Sequence, residues 1–441
     1  VSQLLDIQKL QFSQRDEAER RMLALLKSTY RDDIARLELN PKPESLNSLN
    51  GFVTLADGTR YFFKTHTEEN ERLDSYYNAR SLAEAGYPVV IAQEVNTIPG
   101  QQIALYEVID YPTLFDLVKT QEDKLLAKKG KGVGVDSSAN LTDEARRLVG
   151  LQKDLDKKVC AAYGQTLEKD SDERLAPVHQ LFSHRLAAGG RVDLFYKSAA
   201  LMLGERRVPF DELSQWQWRI NGVTYDGTLA SLIADARKRL APQEGIATVV
   251  GHGDAHNGNV FVDQAGERLL YFDPAFAGRH DPILDMAKPM FHNVFARWMY
   301  FPQEVAEECA IAGRVEDGRI VVEHDFSPSQ IRREFLRSKL QFALRPLLPR
   351  LSEAGLSADW VFRLRSALFA CSFLTVNLLA EHKASGSLAE RYPDSIRLLG
   401  LCMAVEMAAD VVGGKNEISA LVDEITAVWQ CSVKMREKKG S

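Results

Sequence analysis

From Val249 to Lys288 the chain runs VVGHGDAHNGNVFVDQAGERLLYFDPAFAGRHDPILDMAK. Asp254 is followed five residues later by Asn259, and Asp273 closes a short hairpin pattern. Asn259-Val260-Phe261-Val262 enters that hairpin, Ala265-Gly266 turns it, and Leu269 to Phe272 returns. Such a hairpin sets Asn259 and Asp273 side by side, and two oxygen-bearing side chains so placed suit a hard cation.

Phosphoryl transfer asks little covalent chemistry of a protein. It requires a carboxylate beside the attacking hydroxyl, magnesium on the phosphates, and groups that position both substrates. Asp-x-x-x-x-Asn followed by a hairpin and a second Asp is the spacing of a kinase catalytic loop. The stretch closely resembles the aminoglycoside phosphotransferase and choline kinase-like family of small-molecule kinases, where the loop reads H-G-D-x-H-x-x-N. Here it is His252-Gly253-Asp254-Ala255-His256-Asn257-Gly258-Asn259. Those five fixed residues would arise by chance on the order of once in tens of thousands of chains of this length. Downstream, Gly278-Arg279-His280-Asp281-Pro282-Ile283-Leu284-Asp285-Met286-Ala287 is similar to the family's G-x-x-D-P-x-x-D-L-A run. The resemblance implies Asp254 as catalytic base, Asn259 and Asp273 as Mg²⁺ ligands, and Asp281 and Asp285 as supports of the loop. It also implies a two-lobed, protein kinase-like α+β fold.

Taken singly, His252, His256 and His280 each read as hydrogen-bonded structural residues, and His252 and His256 are expected to brace the catalytic loop. A zinc site on His252, Asp254 and His256 would need a further ligand, and the sequence nominates none.

Upstream, GFVTLA, Asp57-Gly58 and TRYFFKT form a hairpin signature. Glu68 to Ala85 reads as a helix ending at Gly86, with Pro88 beyond, and Gln101 to Ile109 as a strand. A helix is expected near Arg15 to Lys27. This order describes a small antiparallel-sheet lobe over residues 1–110, which the resemblance makes the nucleotide-binding one. Lys64, at the end of the second hairpin strand, is then the expected partner of the ATP phosphates, with Ser48 and Asn50 candidates in the loop above them. The resemblance implies that the Glu107 carbonyl and Ile109 N–H meet the adenine edge and that Tyr106 backs it. The helix acid that would orient Lys64 departs from the family pattern. Its place falls at Ser75, so Glu71, one turn earlier, is the candidate.

Residues 111–441 read as a mainly helical lobe holding the catalytic loop, 251–260, and an insertion at about 119–215. Within it Lys119 to Asn140 is expected as a loop and 144–207 as helix. Trp216 to Tyr225 reads as a hairpin through Asn221-Gly222, and the segments 229–240, 329–353, 357–382 and 398–410 as helices. His179, His184, Arg185 and Arg191 are candidates for contact with an anionic group, and the aromatic segment Phe291 to Tyr300 for either core or an acceptor wall.

The composition sets bounds. With 441 residues, 45% hydrophobic, 26% charged and a net charge of −6, the chain is an ordinary globular protein without the basic face of a nucleic-acid binder. Cys160, Cys309, Cys371, Cys402 and Cys431 are odd in number and form no C-x-x-C, which fits a reducing compartment. The longest apolar run, Ala367 to Ala380, is too short to span a bilayer, so a cytoplasmic enzyme is expected. Three functions compete. The first is an ATP- and Mg²⁺-dependent kinase acting on a small-molecule hydroxyl, of a sugar, amino sugar or aminoglycoside-like alcohol. The others are a divergent protein kinase, although no A-P-E follows Asp273, and a nucleotide-binding regulator without turnover.

Overall fold

The computed structural model describes residues 3–11, 14–40, 48–66, 79–96, 98, 101, 103–128, 141–356, 359–379 and 392–437. The expected helix at 68–85 is described only over Ala79–Glu84, and Glu71 lies outside the described residues.

The N-terminal half is built on one five-stranded antiparallel sheet. Its strands are β1 (Ile34–Leu39), β2 (Ser48–Leu55), β3 (Arg60–His66), β4 (Glu94–Asn96) and β5 (Ile103–Glu107), in the order β1-β2-β3-β5-β4. The β2–β3 turn closes with the Leu55 N–H donating to Thr59 O (2.8 Å) and the Thr59 N–H to Asp57 Oδ1 (2.8 Å). Only Gly58 takes a positive φ there, +88°.

Period-2 alternation then sorts the sheet into two faces. Leu49, Val53, Phe63, Ile103 and Leu105 turn to one side, where they are buried against Ala18, Met22 and Leu26 of the helix Arg15–Thr29. Asn50, Phe52, Phe62, Lys64 and Tyr106 point to the other side, into a cleft. In register Lys64 stands between Asn50 and Ala104, and Phe62 between Phe52 and Tyr106.

The chain leaves β5 and enters the helix Leu114–Lys128, beyond which the structure is mainly helical. Residues 119–128, expected as loop, belong to this helix; its apolar positions Leu114, Phe115 and Val118 are buried, and burial outweighs the charged outer face. Residues 129–140 lie outside the described residues. Of the helix expected over 144–207, the long piece is Asp143–Thr166, capped by Thr142 Oγ1, which accepts from the Ala145 N–H (3.0 Å); short helices come later, at Ser183–Leu186 and Arg191–Tyr196. Strands follow at Glu168–Asp172, Ala200–Leu203 and Arg206–Pro209. The Asn221-Gly222 hairpin forms as read, with φ of 50° and 78°. It joins a five-stranded mixed sheet with Ile311–Glu316, Arg319–His324 and Asp410–Val412, which the sequence reading did not foresee.

The centre of the C-terminal half is the helix Pro282–Val294, buried along its whole length. It packs on the helix Trp360–Leu374, which in turn packs on Asp394–Ala408. Two main-chain links and one from a side chain join this half to the segment before β4. Tyr271 donates to Pro88 O (2.7 Å), Val90 donates to Tyr271 O (2.7 Å), and the Tyr87 hydroxyl donates to Val250 O (3.0 Å). Among the described residues no helix is long and apolar enough to cross a membrane.

Phe63 is the largest wholly buried side chain between the sheet and the N-terminal helices. Phe63→Ala is expected to cost about 3–5 kcal/mol of folding stability, read as a shift in the urea midpoint without a change of slope.

Candidate active site

The strand Glu244–Gly251 leads into the loop His252 to Asn259, and the loop's shape follows from the residues around it. A Cβ at Gly251 would lie 2.4 Å from Asp285 Oδ2, so only glycine fits. Gly253 has a φ of +79°, and a Cβ there would meet Phe276 O at 2.4 Å. This left-handed turn aims the Gly253 N–H at Asp285 Oδ1, 2.5 Å away. The same carboxylate receives His280 Nε2 at 3.1 Å and the Tyr163 hydroxyl. Burial would raise the Asp285 pKa, but these donors prevail and hold it at about 2. Asp281 caps the helix Pro282–Val294 by accepting from the Ile283 N–H (2.8 Å) and pairs with Arg363 Nε (2.7 Å).

His252 joins the loop to the Asp273 segment. Its Nδ1 accepts from the Asp254 N–H (3.3 Å), and its Nε2 donates to Phe272 O (3.2 Å). Burial pushes the imidazole pKa down, and a neutral ring with its proton on Nε2 meets both partners. His256 caps the short turn Asn257–Asn259, its Nδ1 accepting from the Gly258 N–H (3.1 Å). Its proton is therefore on Nε2, 3.8 Å from Asp254 Oδ2. Burial lowers the His256 pKa to about 4, against the opposing pull of Asp254.

Asn259 Nδ2 donates to Asp254 O (2.9 Å), which turns its carbonyl oxygen away from the loop. The hairpin Val260–Asp263/Arg268–Tyr271 returns the chain, and the Phe272 N–H donates to Asn259 O (3.0 Å). Asp273 follows at once, with a φ of 55°. Lys64 of β3 contacts the Asp273 carboxylate. The lysine's described acid is therefore on the far side of the cleft, while Glu71 lies outside the described residues.

A cavity of about 290 Å³ lies between the β-sheet and this loop. Lys64, Asn50, Tyr106, Glu107 and Ile109 line it together with Asp254, His256, Asn259 and Asp273. His252, Asp281 and Asp285 stand behind the loop. Ser48 is paired with His66 at the start of β2. Of the insertion residues, Arg185 lines the cavity; His179 is buried against Glu173 (3.3 Å), and Arg191 donates to Leu374 O (2.9 Å). The aromatic segment divides, with Phe291 and Trp298 in the core and Tyr300 at the cavity wall.

One part of the site escaped the sequence reading. Lys288 Nζ lies 3.1 Å from Asp254 Oδ1 and 3.3 Å from His292 Nε2, and His292 Nδ1 lies 2.7 Å from the Tyr300 hydroxyl. Burial would raise the Asp254 pKa, but Lys288 first, then His256 and His292, hold it far below the usual carboxylate range. Burial, with Lys288 beside it, keeps the His292 pKa low as well. The available signal was spacing: Asp285, Lys288 and His292 are polar residues at i, i+3 and i+7 on a mostly apolar helix.

No family model matches the chain, and no curated protein sequence matches it. Among solved structures it is similar to an ethanolamine kinase from Plasmodium vivax, at 11% identity over 86% of each chain with a TM-score of 0.40. It is also similar to a macrolide 2'-phosphotransferase type I, at 14% identity over 89% of this chain and 98% of that one, with a TM-score of 0.35. The apoenzyme of the macrolide 2'-phosphotransferase MphH from Brachybacterium faecium shares 15% identity over 80% of this chain and 98% of that one, with a TM-score of 0.29. At this level of likeness, the chemistry of the site rests on this chain's own geometry.

Asp285 makes acid stability a test of the loop's anchor. Its carboxyl falls from the ordinary 3.8 to about 2 on folding, so its contribution is whole above about pH 4 and is lost as pH falls through about 2. Asp285→Asn should be less stable than the parent by roughly 2 kcal/mol at pH 7. That gap should close toward pH 2 in paired melting curves; a gap independent of pH would show that the charge plays no part.

Proposed function

We propose that the chain is an ATP-dependent small-molecule kinase of the aminoglycoside phosphotransferase and choline kinase-like kind. It transfers the γ-phosphoryl group of Mg·ATP to a hydroxyl of a sugar, amino sugar or aminoglycoside-like alcohol. The observation that carries the reading is that one cavity is lined by Lys64 from the sheet and by Asp254, Asn259 and Asp273 from the loop and hairpin. In this reading residues 1–110 hold the nucleotide and residues 111–441 the acceptor.

The residues present fit magnesium. Asn259 spends its amide N–H on Asp254 O, leaving a carbonyl oxygen, and Asp273 adds a carboxylate; both side chains are buried. Among the described residues no group of three or more His, Cys, Asp or Glu is arranged to hold a metal. Two protein oxygens, with phosphates and water completing the shell, are what Mg²⁺ ordinarily takes. When bound, the ion would neutralise charge on the β- and γ-phosphates.

The protein's own contribution is positional and electrostatic. Lys64 and Asn50 face each other across the β2–β3 pair above the loop, where phosphate oxygens would seat. Glu107 and Ile109 offer main-chain groups to an adenine, and the ring of Tyr106 lies over Phe62 with centroids 6.5 Å apart. Asp254 is held by two main-chain contacts and accepts the hydroxyl proton as the acceptor oxygen attacks the γ-phosphorus. Its low pKa makes it a weak base. That suits a loose transition state, in which the proton leaves late.

Asp254→Asn is expected to lower turnover by about 10²–10⁴-fold while nucleotide affinity stays within a few-fold. Asp273→Ala should weaken Mg·ATP binding as well as turnover. The assay is ADP release across sugars, amino sugars, aminoglycosides, amino alcohols and nucleosides, beside titration with a fluorescent ATP analogue. Near-normal turnover by Asp254→Asn would remove the base from the mechanism.

A further inference from the structure

We infer that Lys288 is a further catalytic residue, which fixes the Asp254 carboxylate and presents its ammonium to the phosphoryl group in transfer. The inference rests on the phosphotransferase reading above and goes beyond the residues that reading names.

The geometry is that of a pinned cation. Lys288 is 5% exposed, on a helix buried throughout, and it lines the cavity. An ammonium carries three N–H donors. The ammonium is ion-paired with Asp254 Oδ1, 3.1 Å away, and hydrogen-bonded to His292 Nε2 at 3.3 Å. His292 accepts on Nε2, so its proton is on Nδ1, directed at the Tyr300 oxygen 2.7 Å away. The lysine, which can only donate, thus sets the tautomer of His292, and Tyr300 helps hold that ring in place. Pairing with Asp254 alone would bring a lysine to the cavity wall; the further tie to His292 and Tyr300 is what fixes where this ammonium points.

The pairing also selects which oxygen reacts. Asp254 Oδ1 is taken by the ammonium. Oδ2, 3.8 Å from His256 Nε2 and beyond hydrogen-bond range, is the oxygen on which an acceptor hydroxyl can seat. In the transfer the acceptor O–H bond breaks and its oxygen bonds to the γ-phosphorus. The bond from phosphorus to the β,γ-bridging oxygen breaks, its electron pair leaving on ADP, and the proton passes to Asp254 Oδ2. Lys288 keeps its protons throughout. A remaining N–H on the cavity wall would serve the phosphoryl group, whose equatorial oxygens carry the charge of a loose transition state.

The test needs no knowledge of the acceptor, because water can take its place. Hydrolysis of Mg·ATP is measured beside the affinity for a fluorescent ATP analogue, for the parent chain and Lys288→Met, Lys288→Gln and Lys288→Arg. Lys288→Met is expected to lower the hydrolysis rate about 10²–10³-fold with nucleotide affinity changed less than about threefold. Lys288→Arg should recover part of the loss. Tyr300→Phe, acting through His292, should lower the rate severalfold at unchanged affinity. If Lys288→Met does not fold, Lys288→Gln, which keeps polar contacts without the charge, is measured where circular dichroism shows it native. Parent-like hydrolysis by either neutral variant, or a loss confined to affinity, overturns the role of Lys288. A parent chain that neither binds nor hydrolyses Mg·ATP overturns the phosphotransferase reading instead, and this inference with it.

Discussion

The Asp285 carboxylate is the fixed point on which the loop depends. A loop that turns through a left-handed glycine and buries its main chain must satisfy each N–H or lose about 1–3 kcal/mol for each one left bare. Asp285 does this at the sharpest position, Gly253, while it also takes His280 and Tyr163. Because it sits one turn into a buried helix whose start is capped by Asp281, the loop is registered against the most rigid element of the C-terminal half. The two glycines beside it follow from the same crowding: any side chain at 251 would strike the carboxylate, and any at 253 would strike Phe276.

The sheet supplies the opposite wall by a simpler rule. Alternation along β2, β3 and β5 sends one set of side chains to the N-terminal helices and the other to the cleft, so Lys64 cannot shift by one residue without exchanging places with Phe63. The apolar burial of Leu49, Phe63 and Leu105 therefore sets the position of the lysine. Packing on one face fixes chemistry on the other.

This division explains what could be read from the sequence. The loop and hairpin were legible because their constraints are local: a glycine where φ must be positive, an Asn and an Asp brought together by a short turn. The Asp57-Gly58 and Asn221-Gly222 hairpins were legible for the same reason. The helix expected over 144–207 is interrupted after Thr166 because the strand Glu168–Asp172 is polar throughout, and its form comes from pairing with Glu244–Gly251. The Ile311–Glu316/Arg319–His324 hairpin had a usable signal in Asp317-Gly318, both at positive φ, which went unread. Lys288 was illegible as a partner of Asp254, since 34 positions separate them and only the helix–loop packing brings them together.

The charges of the cleft then form a consistent set. Two carboxylates, Asp254 and Asp273, face a small, largely closed space, and each has a lysine from a different element: Lys288 from the helix below and Lys64 from the sheet above. Two bare carboxylates lining one cavity would repel each other and favour the uptake of a proton. Lysines from opposite sides remove that penalty without sharing one cation between the two acids. In the phosphotransferase reading, Lys64 would serve the nucleotide phosphates and Asp273 would help hold a metal ion. Lys288, held by His292 and Tyr300, stays where it is. One lysine is left to Asp273 and the sheet, while the other is tied to Asp254 and a buried helix, a difference set by strand and helix that local sequence does not display.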